Sequence, residues 1–190
     1  MPPKAKITKE MVVDAAFDIA RVKGAEQINA RTVSQKLGCS TQPVMYHFAK
    51  IEDIKRAAYE KTNWFHAEYL LNVDERLEDF MLGIGLNYIC FAFEEPNLFR
   101  FLFQSGYAME NSLLEMIDSE ELKPVLLAMQ EASGMNENQM KEVFLTIALF
   151  AHGYASIIAN NSLEYNETVI SKHLERAYRG AVLALQEDDK

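Results

Sequence analysis

An all-α fold of about nine helices is what the sequence predicts, and three observations predict it. Almost every segment spaces its apolar residues three and four apart, the period of a helix with one buried face. No segment sustains the period-two alternation of a half-buried strand. The breaks between periodic segments hold Ser, Thr, Asn or acidic residues before an apolar run and Gly or Pro after it, the residues that start and stop helices. With 190 residues, 49% of them hydrophobic and 25% charged, the composition is that of an ordinary folded protein. The length suffices for one good core, or one core plus a small subdomain.

Thr8 caps the first helix, whose stripe of Met11, Val12, Ala15, Ala16, Ile19 and Ala20 stops at Gly24. Asn29 caps a short second helix running to Leu37, with Val33 and Leu37 inward and Arg31 and Lys36 outward, and Gly38 ends it. Ser40 caps a third. That places Pro43 in a first helical turn, where backbone N–H groups have no acceptor within the helix, so the ring is harmless there and stiffens the start. Val44 and Phe48 then share one face, leaving Thr41, Gln42, Tyr46 and His47 to point outward. Two short helices joined by a tight turn containing glycine fit a helix-turn-helix whose second member enters a major groove.

The fourth helix starts near Glu52 and runs past Trp64, with Glu52 and Asp53 at the positive end of its dipole. A fifth covers residues 74–93, ended by Glu94-Glu95-Pro96, and the Gly83 and Gly85 inside it suit close packing. Shorter and longer helices follow over residues 97–104, 110–133, 137–160 and 167–186. The helix from Glu137 is apolar on two sides and needs two partners. Small residues Ala151, Ala155, Ala177 and Ala181 on the last two helices suggest a homodimer interface made by those helices. The resulting division is a helix-turn-helix DNA-binding domain over residues 1–50 and a larger helical dimerisation domain over residues 51–190.

Charge is unevenly spread. The net charge is −9, yet residues 1–65 carry eleven basic and seven acidic groups, a balance of +4, while the rest carries eight and twenty-one, a balance of −13. A basic end on an acidic body suits a chain that meets a polyanion with one end only. Lys4, Lys6 and Lys9 are either a mobile arm on phosphates or merely solvated. No apolar run approaching a membrane span and no signal-peptide core is evident, so a cytoplasmic protein without membrane contact is expected. Cys39 and Cys90, the only cysteines, form neither a CxxC pair nor a pair with histidine, so neither a disulfide framework nor a zinc site is supported.

The segments VVDAAFDIARVKG and INARTVSQKLGCSTQPVMYHF, followed by the acidic start of the fourth helix, resemble in order and spacing the DNA-binding domain of the TetR family of bacterial transcriptional regulators. PNLFRFLF and FAHGYASII resemble segments of the ligand-binding domain in some branches of that family. The resemblance implies a homodimer on a pseudo-palindromic operator, and a helical body whose small-molecule effector alters DNA affinity. By position, Thr41, Gln42, Pro43, Tyr46 and His47 form the recognition helix, with Arg31, Thr32 and Lys50 beside it. Met45 stands where a tyrosine is common and Ile51 where a lysine commonly grips a phosphate; Lys50, Lys55 or Arg56 would substitute.

Gln42 has the geometry for a bidentate contact to adenine. In the body, Trp64, Phe91, Phe103, Tyr107, Phe144 and His152 are candidates to touch an apolar or amphipathic effector, though aromatics at helical spacing also serve as plain core. Ala148 and Gly153 are expected to border such a cavity. The expected function is a repressor released by its effector, without cofactor or metal. A helical-bundle enzyme is the rival, but none of His47, His66, His152 and His173 has glutamate three residues before it, as a carboxylate-bridged metal site would need. A protein-binding adaptor leaves the basic first third unexplained.

Overall fold

The structure, a computed structural model, describes residues 7–74, 80–107, 115, 117–161 and 163–188. Among these residues there are nine α-helices and no strand: α1 (Lys9–Lys23), α2 (Ala30–Lys36), α3 (Thr41–Tyr46), α4 (Ile51–Leu71), α5 (Phe80–Glu94), α6 (Pro96–Gln104), α7 (Lys123–Ser133), α8 (Glu137–Asn161) and α9 (Glu167–Asp188). One turn of 3-10 helix, Ala25–Gln27, follows α1. The expected all-α fold is therefore the observed one.

The chain divides into two compact units, and neither is a continuous stretch of chain. The first, here the head, is residues 1–64 with 97–108; the second, the body, is residues 65–96 with 109–190. The boundary at 50/51 read from the sequence separated roles, whereas packing divides the chain inside α4, and it adds α6 to the head.

In the head, Val12, Ala16 and Ala20 of α1, Val33 of α2, Val44 of α3 and Ile54 and Ala58 of α4 are all fully buried. Leu98, Phe99, Phe101 and Leu102 of α6 are buried too. The Tyr59 hydroxyl donates to the Leu102 carbonyl at 3.3 Å, and Asn97 Nδ2 donates to the Arg21 carbonyl at 3.0 Å, which ties α6 to α4 and to the end of α1. Met11, expected inward, is exposed; the larger Phe17 fills the core instead.

The body is built on α5, α8 and α9, which pack on one another, with α7 against α5 and α8. Its core joins Met81, Ile84 and Ile89 of α5 to Met129 of α7, Val143, Ile147 and Ala151 of α8, and Ile170 and Leu174 of α9. A side chain at Gly83 would run into Val73, and one at Gly85 into Leu174, so the two glycines are what lets those side chains sit against the α5 backbone.

Several boundaries differ from the sequence reading. Asp74 is not helical, and residues 75–79 of the expected fifth helix lie outside the described residues, as do Lys4, Lys6 and residues 108–114 and 116. Pro96 does more than end α5: it opens α6 at the first helical position, where its missing N–H is not needed. The single helix expected over 110–133 is broken by a turn over residues 118–122, because Pro124 fits only within the first turn of a new helix. Ala151 and Ala155, expected at a subunit contact, are buried in this chain's own core, and Gly153 stands on the exposed side of α8 with nothing near its missing side chain instead of bordering a cavity. By length and composition alone α8 is long and apolar enough to cross a membrane, contrary to the expectation that no apolar run approaches a span: its charges, Glu137, Lys141 and Glu142, cluster near one end and leave the rest uncharged.

Candidate nucleic-acid interface

Local backbone chemistry builds the α2–α3 pair. Asn29 Oδ1 accepts from the N–H groups of Arg31 (3.1 Å) and Thr32 (3.0 Å), while Thr32 Oγ1 accepts from the Asn29 N–H at 3.1 Å, a reciprocal capping box. The Thr32 hydroxyl also lies 2.7 Å from the Gln27 carbonyl, so it serves the cap. At the other end, the Cys39 N–H donates to Ser34 O at 3.0 Å and the Gly38 N–H to Gln35 O at 3.2 Å. This is a Schellman closure, and it requires the left-handed backbone that Gly38 adopts, at φ 64.

Ser40 occupies the N-cap position of α3 as expected, but its hydroxyl caps nothing. Pro43 falls in the first turn. Val44 and Phe48 are buried beneath, and Thr41, Gln42 and Tyr46 are exposed, Tyr46 at 83%. His47 departs from the sequence reading: its Nε2 lies 2.8 Å from the Ile7 carbonyl, so the ring donates there and is not free to point outward. That contact is 40 residues apart in sequence, so no local pattern announces it. The Tyr46 ring meets the His47 ring edge-on at 5.4 Å between centroids.

Around this helix, Arg31 and Lys50 are exposed and form no ion pair among the described residues. The Lys50 N–H donates to Asp53 Oδ2 at 3.1 Å, which caps the start of α4 and fixes where Lys50 leaves the chain. Lys9 lies over the Phe48 ring at 5.4 Å from its centroid. Lys36, by contrast, is paired with Asp18 at 2.9 Å, and Lys61 with Asp14, so part of the positive charge is neutralised within the head. Pairs this exposed contribute at most about 1 kcal/mol each.

The six effector candidates do not fall in one unit. Trp64, Phe103 and Tyr107 belong to the head; Phe91, Phe144 and His152 belong to the body. Tyr107 packs on Phe101 and Tyr59, and Phe103 on Phe99. Trp64 is 48% exposed.

In the body, Phe91 is fully buried among Phe65, His66 and Tyr69. The His66 ring also meets Tyr88, whose hydroxyl lies 2.9 Å from His152 Nδ1. Burial lowers the His66 pKa to about 3 and lowers that of His152, and it raises that of Tyr88, so the three groups stay neutral at physiological pH. His66 and Tyr88 were missed by the sequence reading, since residues 22 and 64 positions from their partners leave no motif.

No family model matches the chain. Over 172 residues, 90% of this chain and 88% of the relative, it is 22% identical to a Bacillus subtilis (strain 168) protein named uncharacterized HTH-type transcriptional regulator YobS. That distant likeness supports a transcription regulator, in general terms, as what an all-helical chain with this α2–α3 pair is similar to.

Proposed function

We propose that the chain is a TetR-like transcriptional regulator, a repressor that binds a pseudo-palindromic operator as a homodimer and is released by a small apolar or amphipathic effector. One observation carries the reading: a six-residue helix held from below by Val44 and Phe48 presents Thr41, Gln42 and Tyr46 bare, flanked by Arg31 and Lys50. Polar side chains on such a helix read base edges in a major groove, and the flanking cations hold phosphates. The relative's printed name agrees with it.

Two-fold symmetry demands related half-sites. The dimer surface is the exposed side of α8 and α9, where Leu149, Ile157, Val169 and Leu183 are about half exposed and Gly153 and Gly180 leave open space for a facing helix. This also explains why so apolar a helix as α8 is only partly buried within one chain. The effector is met in the body, around Phe91, Phe144 and the Tyr88–His152 pair, and a coupling of about 1 to 3 kcal/mol between effector and DNA suffices for a switch. Such a regulator acts in the compartment that holds the chromosome.

The test is selection from a random-sequence DNA pool, followed by fluorescence anisotropy on the selected site over a salt series. A two-fold-related site with affinity falling steeply as salt rises supports the reading. Recovery of no sequence above background refutes it.

A further inference from the structure

The head contains a cleft of about 470 Å³ with no residue of α2 or α3 in its wall, bounded by the turn after α1, by α4 and by the end of α6. The volume lies within the range of about 300 to 1,000 Å³ typical of small-molecule sites. Two of its wall residues are cations, Lys55 and Arg100, and one is an acid, Glu26. Lys55 and Glu26 form no ion pair among the described residues. Arg100 is positioned: its Nη2 donates to Asn97 Oδ1 at 2.8 Å, and Asn97 is itself anchored on the Arg21 carbonyl at 3.0 Å. A guanidinium held this way has little rotamer freedom left to lose when it takes up an anion. The floor is aromatic, with Phe101 buried and Tyr107 edge-on to it at 5.7 Å.

We infer that this cleft is a ligand site of its own, taking a small amphipathic monoanion such as an aryl carboxylate. Lys55 and Arg100 take the carboxylate, and the half-exposed Tyr107, backed by the buried Phe101, takes the ring. An aryl carboxylate is favoured over inorganic phosphate because its smaller charge costs less to desolvate and because phosphate gains nothing from the aromatic wall.

The test uses the intact chain without DNA, so its outcome is independent of operator binding. Naphthoate, its uncharged amide and inorganic phosphate are titrated by calorimetry against the parent protein and three variants. Gln104→Trp fills the cleft from the exposed end of α6; Lys55→Gln and Arg100→Gln each remove one charge. Expected are naphthoate binding about tenfold tighter than the amide, no competition by phosphate, loss of binding in Gln104→Trp, and about a tenfold weakening in each charge variant. Equal affinity for acid and amide, or unaltered binding in Gln104→Trp with weakening in neither charge variant, overturns the inference, as does the absence of naphthoate binding at millimolar concentration.

Discussion

The head and the body are both helical, but different forces define their helices. In the head, α2 has seven residues and α3 six, well below the roughly 12 to 15 that hold a helix in isolation. They exist because their ends are closed, by the Asn29–Thr32 box and the Gly38 turn, and because Val33 and Val44 are wholly buried. In the body, α8 has 25 residues and α9 22, and packing decides. The contrast teaches that a short helix must be specified at its ends, so its residues are punctuation, while a long one is specified along its face, so its residues are volume.

The sharpest way to break that contrast is to remove volume from the body. Phe91→Ala should cost about 3 to 5 kcal/mol, read as a shift in the denaturation midpoint. A loss below about 1 kcal/mol would show that the body tolerates voids and is not held by packing.

Acid should act on the same place. The folded-state pKa of His66 is lowered from 6.5 to about 3 by burial, so the folded state resists protonation that the unfolded chain accepts. Its contribution is complete above pH 6.5 and declines as pH falls toward about 3, at about 1.4 kcal/mol per pH unit. Between neutral pH and about pH 5 this amounts to about 2 kcal/mol, and His66→Leu should flatten that part of the stability profile. An unchanged slope in the variant would place the acid sensitivity elsewhere.

Gln42→Ala tests the head's surface, since it removes an exposed side chain. Stability should stay constant, while preference at one base position relaxes by about 1 to 3 kcal/mol in a binding-site selection. The smallest effects concern the helix ends. Thr8, whose Oγ1 accepts from the Met11 N–H at 3.2 Å, and Gly38, at φ 64, should each lose about 1 kcal/mol of stability on replacement by alanine. Ser40→Ala, which removes no cap bond, should change nothing measurable in thermal unfolding. Equal losses at Thr8 and Ser40 would mean that the cap geometry does not control these helices.

What was legible in the sequence follows the same division. Thr8, Gly24, Asn29, Gly38 and Pro43 each announce a local backbone event, and all five sit where the sequence reading put them. Whatever depends on distant partners was not legible. The His47–Ile7 contact, the Lys36–Asp18 pair and the Tyr88–His152 bond join residues that no periodicity relates. The orientation of α8 was ambiguous for a related reason. A helix apolar on two sides does not say which side faces its own chain, and Ala155 and Gly153, two residues apart, turned out on opposite sides.

The membership of α6 in the head bears on how the protein is made. Residues 97–104 supply Leu98, Phe101 and Leu102 to the same unit as α1–α3, yet they leave the ribosome some fifty residues, in round numbers, after α3. Until then the nascent head lacks a wall, and the face of α4 that carries Tyr59 is exposed. Completion of the head therefore waits for the first, shorter segment of the body, residues 65–96, to be synthesised, and α1–α4 cannot be transplanted as a contiguous fragment into another protein without carrying that missing wall along.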